Sequence, residues 1–96
     1  MKKEYLLKIL KELSQEVKEK YRAKIKGIFG SYAKGEEREN SDLDVLVEFA
    51  SDADLIHFVG LSLFLEEKLG IKVDVVPYDT VREEIKERVF GEVIYL

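Results

Sequence analysis

The fold and the chemistry are both decided by one segment, Gly30-Ser31-Tyr32-Ala33-Lys34-Gly35-Glu36-Glu37-Arg38-Glu39-Asn40-Ser41-Asp42-Leu43-Asp44. Its glycines, Gly30 and Gly35, let the backbone turn sharply and approach a ligand. Ser31 follows directly, where its N–H and hydroxyl can face an anion at the start of a helical turn. The glycines have P-loop spacing, but Glu36 stands where that motif requires lysine, and no Gly-x-Gly-x-x-Gly is present. The segment therefore predicts a phosphate-binding turn of another kind.

Three aspartates accompany this turn. Asp42 and Asp44 stand two apart at the beginning of a predicted strand, so their carboxylates share a face, with Cα atoms about 6.6 Å apart. An EF-hand is excluded because Leu46 occupies a ligand position and Val47 replaces the turn glycine. Asp74 lies inside an apolar run on a later strand, and strand pairing would bring it beside the first two. Three such carboxylates can hold two magnesium ions bridged by the phosphates of a nucleotide, which predicts nucleotidyl transfer.

The spacing of these residues resembles that of a known family. A Gly-Ser pair, a glycine five residues after the first, and an Asp-x-Asp beginning twelve residues after it are met by Gly30, Ser31, Gly35, Asp42 and Asp44. This pattern resembles the DNA polymerase β superfamily, and specifically its minimal nucleotidyltransferase (MNT) branch, the antitoxins that pair with HEPN-domain toxins. The resemblance covers the whole chain and implies the small nucleotidyltransferase fold.

The resemblance also implies a role for each motif residue. In that family the Gly-Ser pair binds the triphosphate, two aspartates bind magnesium, and a carboxylate on the following strand completes the metal site and helps to deprotonate the acceptor hydroxyl. By position, Gly30 and Ser31 would bind the triphosphate. Asp42, Asp44 and Asp74 would form the catalytic and metal-binding set.

Four residues of the segment have narrower expected roles. Lys34 stands where the family often has arginine, so the positive charge is retained while bidentate phosphate binding is lost. Together with Gly35 it completes the implied nucleotide-binding set. Ser41 is expected to support the loop through backbone hydrogen bonds. Tyr32 has two possible roles, either an external contact, by stacking on a base or facing a partner, or local packing.

The resemblance implies a specific activity: transfer of AMP from ATP to a tyrosine of a cognate HEPN toxin, which neutralises the toxin. Two alternatives stay open, namely an antitoxin that acts by binding alone, and nucleotidylation of a small molecule with the help of another chain. We expect one minimal nucleotidyltransferase domain over residues 1–96, because a chain of this length leaves no room for a separate acceptor-binding module.

Composition narrows the remaining classes. Zero cysteines and one histidine exclude disulfides, thiolate metal sites and a histidine-rich zinc site. A net charge of −4 argues against direct nucleic-acid binding, and the sequence shows no apolar run of membrane-spanning length, so we expect a cytoplasmic protein. Fourteen Glu and twelve Lys beside one Asn and one Gln predict a thermophilic source. A homo-oligomer is left open.

Periodicity predicts an α/β (α+β) fold, a mixed sheet of three or four strands with helices mainly on one face. The other face would carry the site. Apolar residues of the helix before Gly70 spread over more than half of its circumference, which indicates either a partner surface or ordinary core. The predicted elements are a helix over 3–21, strands over 23–29 and 43–49, a helix from the Ser51-x-x-Asp54 start to Gly70, a strand over 71–76, a helix from the Thr80-x-x-Glu83 capping box to near Gly91, and an edge strand within 92–96.

Overall fold

A computed structural model describes residues 2–96 of the chain. None of the helices in this part of the chain has both the length and the apolar character needed to cross a membrane. The elements are α1 (Lys3–Tyr21), β1 (Ala23–Phe29), α2 (Gly30–Lys34), β2 (Leu43–Phe49), α3 (Leu55–Leu69), β3 (Val73–Pro77), a 3-10 turn (Tyr78–Thr80), α4 (Glu83–Glu92) and β4 (Ile94–Tyr95).

The four strands form one mixed sheet in the order β3-β2-β1-β4. β1 pairs antiparallel with β2 and with β4, whereas β2 and β3 run parallel because α3 forms the crossover between them. Gly27 permits the β1–β4 pairing, since a Cβ there would collide with the backbone carbonyl of Ile94. The predicted α+β architecture with a mixed sheet is confirmed.

One face of the sheet packs against α1 and α3 and forms the core. Leu6 and Leu10 of α1 and Leu61 and Leu65 of α3 are fully buried against Val45 and its neighbours on the sheet. The two residues of each pair are four positions apart, which puts them on one side of their helix. The two longest helices therefore cover this face, as the sequence pattern predicts.

A β-bulge in β1 decides which residues meet the opposite face. The pairing with β2 shifts between Ile25 and Gly27, so that Ile25 before the bulge and Ile28 after it are both buried in the core. The extra residue changes the alternation by one position. Phe29 therefore lies on the face away from α1 and α3, in register with Asp44.

The opposite face is less open than predicted. Strand alternation places Leu46 on the same face as Asp44, yet Leu46 is only 1% exposed. α4 lies on this side, because its Val89 lines a groove together with Asp44 and Val76. The site therefore lies between the sheet and a short helix and not on a bare sheet.

The helix α3 divides its broad apolar surface between core and solvent. Its buried residues are Leu61, Leu65 and Leu69. Four others form an exposed apolar stripe along the helix, with side chains 48–81% exposed: Leu55, Ile56, Val59 and Leu63. Ordinary core therefore accounts for only part of this surface.

Two predicted helix starts are wrong because the local hydrogen bonds form elsewhere. α3 is capped by Asp54 and not by Ser51: the His57 N–H donates to Asp54 Oδ1 and the Asp54 N–H donates to His57 Nδ1, both at 3.1 Å. Thr80 does not cap α4, since its hydroxyl donates to the Pro77 carbonyl at 2.8 Å. β3 begins two residues later than predicted and includes Pro77 (Val73–Pro77), and β4 is limited to Ile94–Tyr95.

Candidate active site

The site lies at the end of the sheet where β1 finishes and β2 and β3 begin. Strand register aligns three residues across this end: Phe29 pairs with Asp44, and Asp44 pairs with Asp74. Because β2 and β3 are parallel and in register, the two carboxylates lie on the same face of the sheet. They belong to neighbouring strands, whose backbones are about 4.8 Å apart. The sequence predicts that Asp74 lies beside the two earlier aspartates, and the strand register shows this for Asp44.

Gly30 connects β1 to α2 beside these carboxylates. Its backbone has φ +75°, in the left-handed region that favours glycine. A Cβ at this position would also collide with the Asp44 carboxylate oxygen Oδ2. Glycine is therefore required twice, for the turn and for the close approach of the backbone to Asp44.

The second glycine ends the short helix α2. Gly35 has φ +71° and its N–H donates to the Tyr32 carbonyl, a C-terminal cap that closes the turn. Ser31 lies in the first turn of α2 next to Gly30. Tyr32 is buried and packs locally, which decides between its two predicted roles. Ser41 supports the following loop as predicted, because its hydroxyl accepts from the Arg38 N–H at 2.8 Å.

The electrostatics of the site are those of like charges held together. The pKa of Asp44 is raised to about 6, and burial is the largest cause. The negative charge of Asp74, a hydrogen bond that Asp74 can share with the protonated form, and the charge of Asp42 are the smaller causes of the same rise. Asp44 is thus the carboxyl in which desolvation and repulsion are concentrated, and a cation would relieve both.

Asp42 stands apart from the other two aspartates. It precedes β2 and lines a separate groove with Asn40, Ser41 and Lys72, whereas Asp44 and Asp74 share another groove. Among residues 2–96, no group of three or more His, Cys, Asp and Glu side chains is close enough to hold a metal ion. Two of the three predicted metal ligands are therefore brought side by side, and the third contributes its charge from farther away.

Comparison with known proteins gives the family. A family model described as "Nucleotidyltransferase domain" matches residues 8–96. This chain belongs to the nucleotidyltransferase domain family. Within it, the chain is 38% identical to the protein adenylyltransferase MntA of Thermococcus cleftensis over 92% of this chain and 89% of that protein. The predicted membership of the minimal, MntA-like nucleotidyltransferases is confirmed.

Solved structures show the same architecture. A structure described as a minimal nucleotidyltransferase matches this nucleotidyltransferase with a TM-score of 0.82 and 36% identity, over 100% of this chain and 97% of that chain. The MNT antitoxin in a complex with a tri-AMPylated Shewanella oneidensis HEPN toxin matches with a TM-score of 0.63 and 19% identity, over 92% of this chain and 69% of that chain. At that identity the second likeness concerns the fold alone.

Lys34 of this nucleotidyltransferase is held by an ion pair across the site. Its ammonium nitrogen Nζ lies 3.2 Å from Glu92 Oε1 at the end of α4. The pair joins α2 to α4, and its two side chains are partly exposed to solvent. A phosphate approaching Lys34 would therefore compete with Glu92, a partner that the sequence did not predict.

The groove beside Asp44 and Asp74 brings in residues that the sequence reasoning missed. It has a volume of about 250 Å³. Besides the two aspartates it is lined by Phe29, Val76, Thr80, Val81, Arg82, Ile85 and Val89. Ile85 and Val89 stand four apart on α4, so their helical spacing could have identified a face turned toward the sheet.

Proposed function

We propose that this nucleotidyltransferase is a protein adenylyltransferase: it transfers AMP from ATP to the hydroxyl of a tyrosine in a cognate HEPN-domain toxin and so acts as an antitoxin in the cytoplasm. The observation that carries the proposal is the pair Asp44 and Asp74 beside the Gly30 turn. The name of the MntA relative and the AMPylated toxin bound by a protein of the same fold support this choice of donor and acceptor.

The reaction can be written from the residues at this end of the sheet. The phenolic oxygen of the acceptor forms a bond to the α-phosphorus of ATP, the bond from that phosphorus to the bridging oxygen breaks, and pyrophosphate leaves with the electron pair. The phenolic proton passes to a carboxylate, for which we propose Asp74. Gly30 and Ser31 bind the triphosphate through backbone N–H groups, with Lys34 and Gly35 completing the turn.

The donor set of the site suits Mg²⁺, and we propose two ions. The three aspartates offer only oxygen ligands, which hard cations prefer. Burial and then the negative charge of Asp74 raise the pKa of Asp44, and a cation beside the two carboxylates would offset both. Bound Mg²⁺ supplies Lewis-acid polarisation of the phosphates and neutralises charge on pyrophosphate. We propose that Asp42, Asp44 and Asp74 hold the ions, with Asp42 joining the other two.

We also propose that residues 1–96 are one minimal nucleotidyltransferase domain. A single core cluster joins α1, α3 and the strands, and the family model extends over residues 8–96. Acceptor recognition then falls to surfaces of this same domain. The groove beside the aspartates and the exposed α3 stripe are the two surfaces suited to it.

A second candidate function is neutralisation by binding alone. The exposed α3 stripe favours it, because contiguous exposed apolar side chains are typical of protein interfaces. The two functions differ in the state of the toxin after the antitoxin is removed. A toxin that carries AMP stays inactive when the antitoxin is removed, whereas a toxin that was only covered regains activity.

The testing experiment is label transfer from ATP labelled at the α-phosphate, with magnesium, to the co-encoded HEPN protein. The native protein is compared with an Asp42→Asn, Asp44→Asn double variant, and Asp79→Asn serves as the matched control on the exposed 3-10 turn. We expect label on the partner with the native protein and the control, and none with the double variant. Absence of label with a folded native protein would refute the adenylyltransferase proposal and leave neutralisation by binding.

A further inference from the structure

The groove beside the aspartates has an apolar floor and a charged end. Asp44 and Asp74 mark the charged end, and Val76 lies two residues beyond Asp74 on the same face of β3, about 6.6 Å along the strand. α4 closes the other side through Ile85 and Val89. We call this the α4 groove and define it by these five residues together with Phe29, Thr80, Val81 and Arg82.

Polar groups of the α4 groove are mostly engaged or turned to solvent. The Thr80 hydroxyl donates to the Pro77 carbonyl at 2.8 Å. The Arg82 guanidinium lies at the rim, with its side chain 82% exposed and its Nε 3.8 Å from Glu84 Oε2. The other lining side chains, among them Val76, Val81 and Ile85, are apolar. A ring bound there meets hydrocarbon on its sides.

This distribution selects among the groups that must meet at the site. A purine carries polar ring nitrogens and an amino group. The apolar side chains of the groove would leave these groups without hydrogen-bond partners, which costs free energy. A serine or threonine side chain is too short to cover the apolar length of the groove. A tyrosine side chain has an apolar ring and a single polar atom at its tip, which matches apolar walls that end in carboxylates.

We infer that the α4 groove binds the aromatic ring of the acceptor tyrosine and directs its hydroxyl toward Asp44 and Asp74. The inference rests on the proposed function and deepens it, because it makes Val81 and Ile85 residues that determine acceptor specificity. ATP would then approach from the Gly30 turn, whose preceding residue Phe29 lines the groove. The groove discriminates by length and polarity, so it favours tyrosine over serine and threonine acceptors.

The test is a titration of the ¹⁵N-labelled, 96-residue protein with N-acetyl-tyrosinamide, followed by NMR. We expect amide shifts concentrated at residues 74–85 that saturate at millimolar probe, and no comparable shifts with N-acetyl-serinamide. Ile85→Ser should weaken the probe's binding about tenfold, as loss of apolar contact in a pocket does. Ile85 is 37% exposed, so the variant should fold. Glu87→Ser, on the exposed side of the same helix, should bind as the native protein does.

Two results would overturn the inference. In the first, adenosine shifts the amides of residues 74–85 and binds more weakly to Ile85→Ser, which would make the α4 groove a base site. Alternatively, the tyrosine probe shifts only amides elsewhere. Because the titration requires no turnover, it stands apart from the label-transfer assay: a native protein that labels no partner contradicts the proposed function, whatever the titration shows.

Discussion

The two faces of the sheet use neighbouring residues of the same strands for opposite purposes. On β2, Val45 and Val47 are fully buried against α1 and α3, while Asp44 between Leu43 and Val45 faces a groove and is only half-buried. The core face gains free energy from apolar burial. The groove face holds Asp44, whose pKa is raised by burial and then by the negative charge of Asp74. One face therefore stabilises the fold, and the other retains a stability cost where chemistry needs charge.

The largest expected effect is a loss of activity when one carboxylate of the groove face, that of Asp74, is replaced. Asp74→Asn removes the charge and the proposed proton acceptor without changing side-chain size. We expect AMP transfer to fall by about a thousandfold or more, since base and metal-ligand losses of this kind cost several kcal/mol. Circular dichroism and the melting temperature should stay close to native values. Asp79→Asn, an exposed aspartate just beyond β3, is the control and should keep full activity.

The next largest effect is a difference in stability between substitutions on the buried side and on the exposed side of α3. Leu65→Ala opens a cavity at a fully buried position, and we expect the free energy of unfolding to fall by about 2–5 kcal/mol. Leu63→Ala, two residues earlier on the exposed stripe, should change it by less than about 0.5 kcal/mol. Chemical denaturation measures both. Equal losses at the two positions would mean that the stripe is packed in the isolated protein.

Much of this division could be predicted from the sequence, because burial on one face leaves a periodic trace. The bounds of α1, β1 and β2 were predicted to the residue. Alternation along β2 and the isolated Asp74 in an apolar run were enough to predict that Asp44 and Asp74 meet. Local periodicity suffices where each element has one apolar side.

The remaining features depend on partners that are distant in the chain. The bulge between Ile25 and Gly27 exists only in the pairing of β1 with β2, so local sequence does not reveal it. Thr80 has two partners for its hydroxyl, and the Pro77 carbonyl competes successfully with a helix cap. Asp42 lies just before β2, where strand alternation no longer fixes side-chain direction. Leu46 is buried on a strand that the 3-10 turn after β3 contacts, and such a contact belongs to tertiary structure.

Alanine substitutions of the two glycines of the turn should have smaller effects on stability and should differ in their effect on activity. Gly30→Ala adds a Cβ at φ +75° that meets the movable end of the Asp44 side chain, so we expect a loss of about 1 kcal/mol in stability from backbone strain and a fall in activity as the carboxylate moves. Gly35→Ala has the same kind of backbone strain at φ +71° but open space around it, and about 1 kcal/mol should be lost with activity retained. Thermal unfolding and label transfer on both variants measure the difference. Similar activities would show that the approach of Gly30 to Asp44 is not needed for transfer.

The smallest expected effect has the opposite sign. The pKa of Asp44 is raised to about 6 in the folded protein from an ordinary value of 3.8, so the folded state binds the proton more tightly. The cost of ionising Asp44 is therefore fully present above about pH 6 and absent below about pH 4. Asp44→Asn removes that cost. In EDTA at pH 7.5 the variant should be more stable than the native protein, by up to about 1 kcal/mol because solvent screens a half-exposed carboxyl.

This gain should shrink as the pH falls through 6 and vanish near pH 4, which denaturation curves at several pH values would follow. Leu43 and Val45 flank the position on the core face, so substitutions there offer no such gain at any pH. A variant that is less stable than the native protein at pH 7.5 would mean that Asp44 is held by favourable hydrogen bonds. In that case the groove face would contribute to stability as the core face does, and the contrast between the two faces would fail at its central residue.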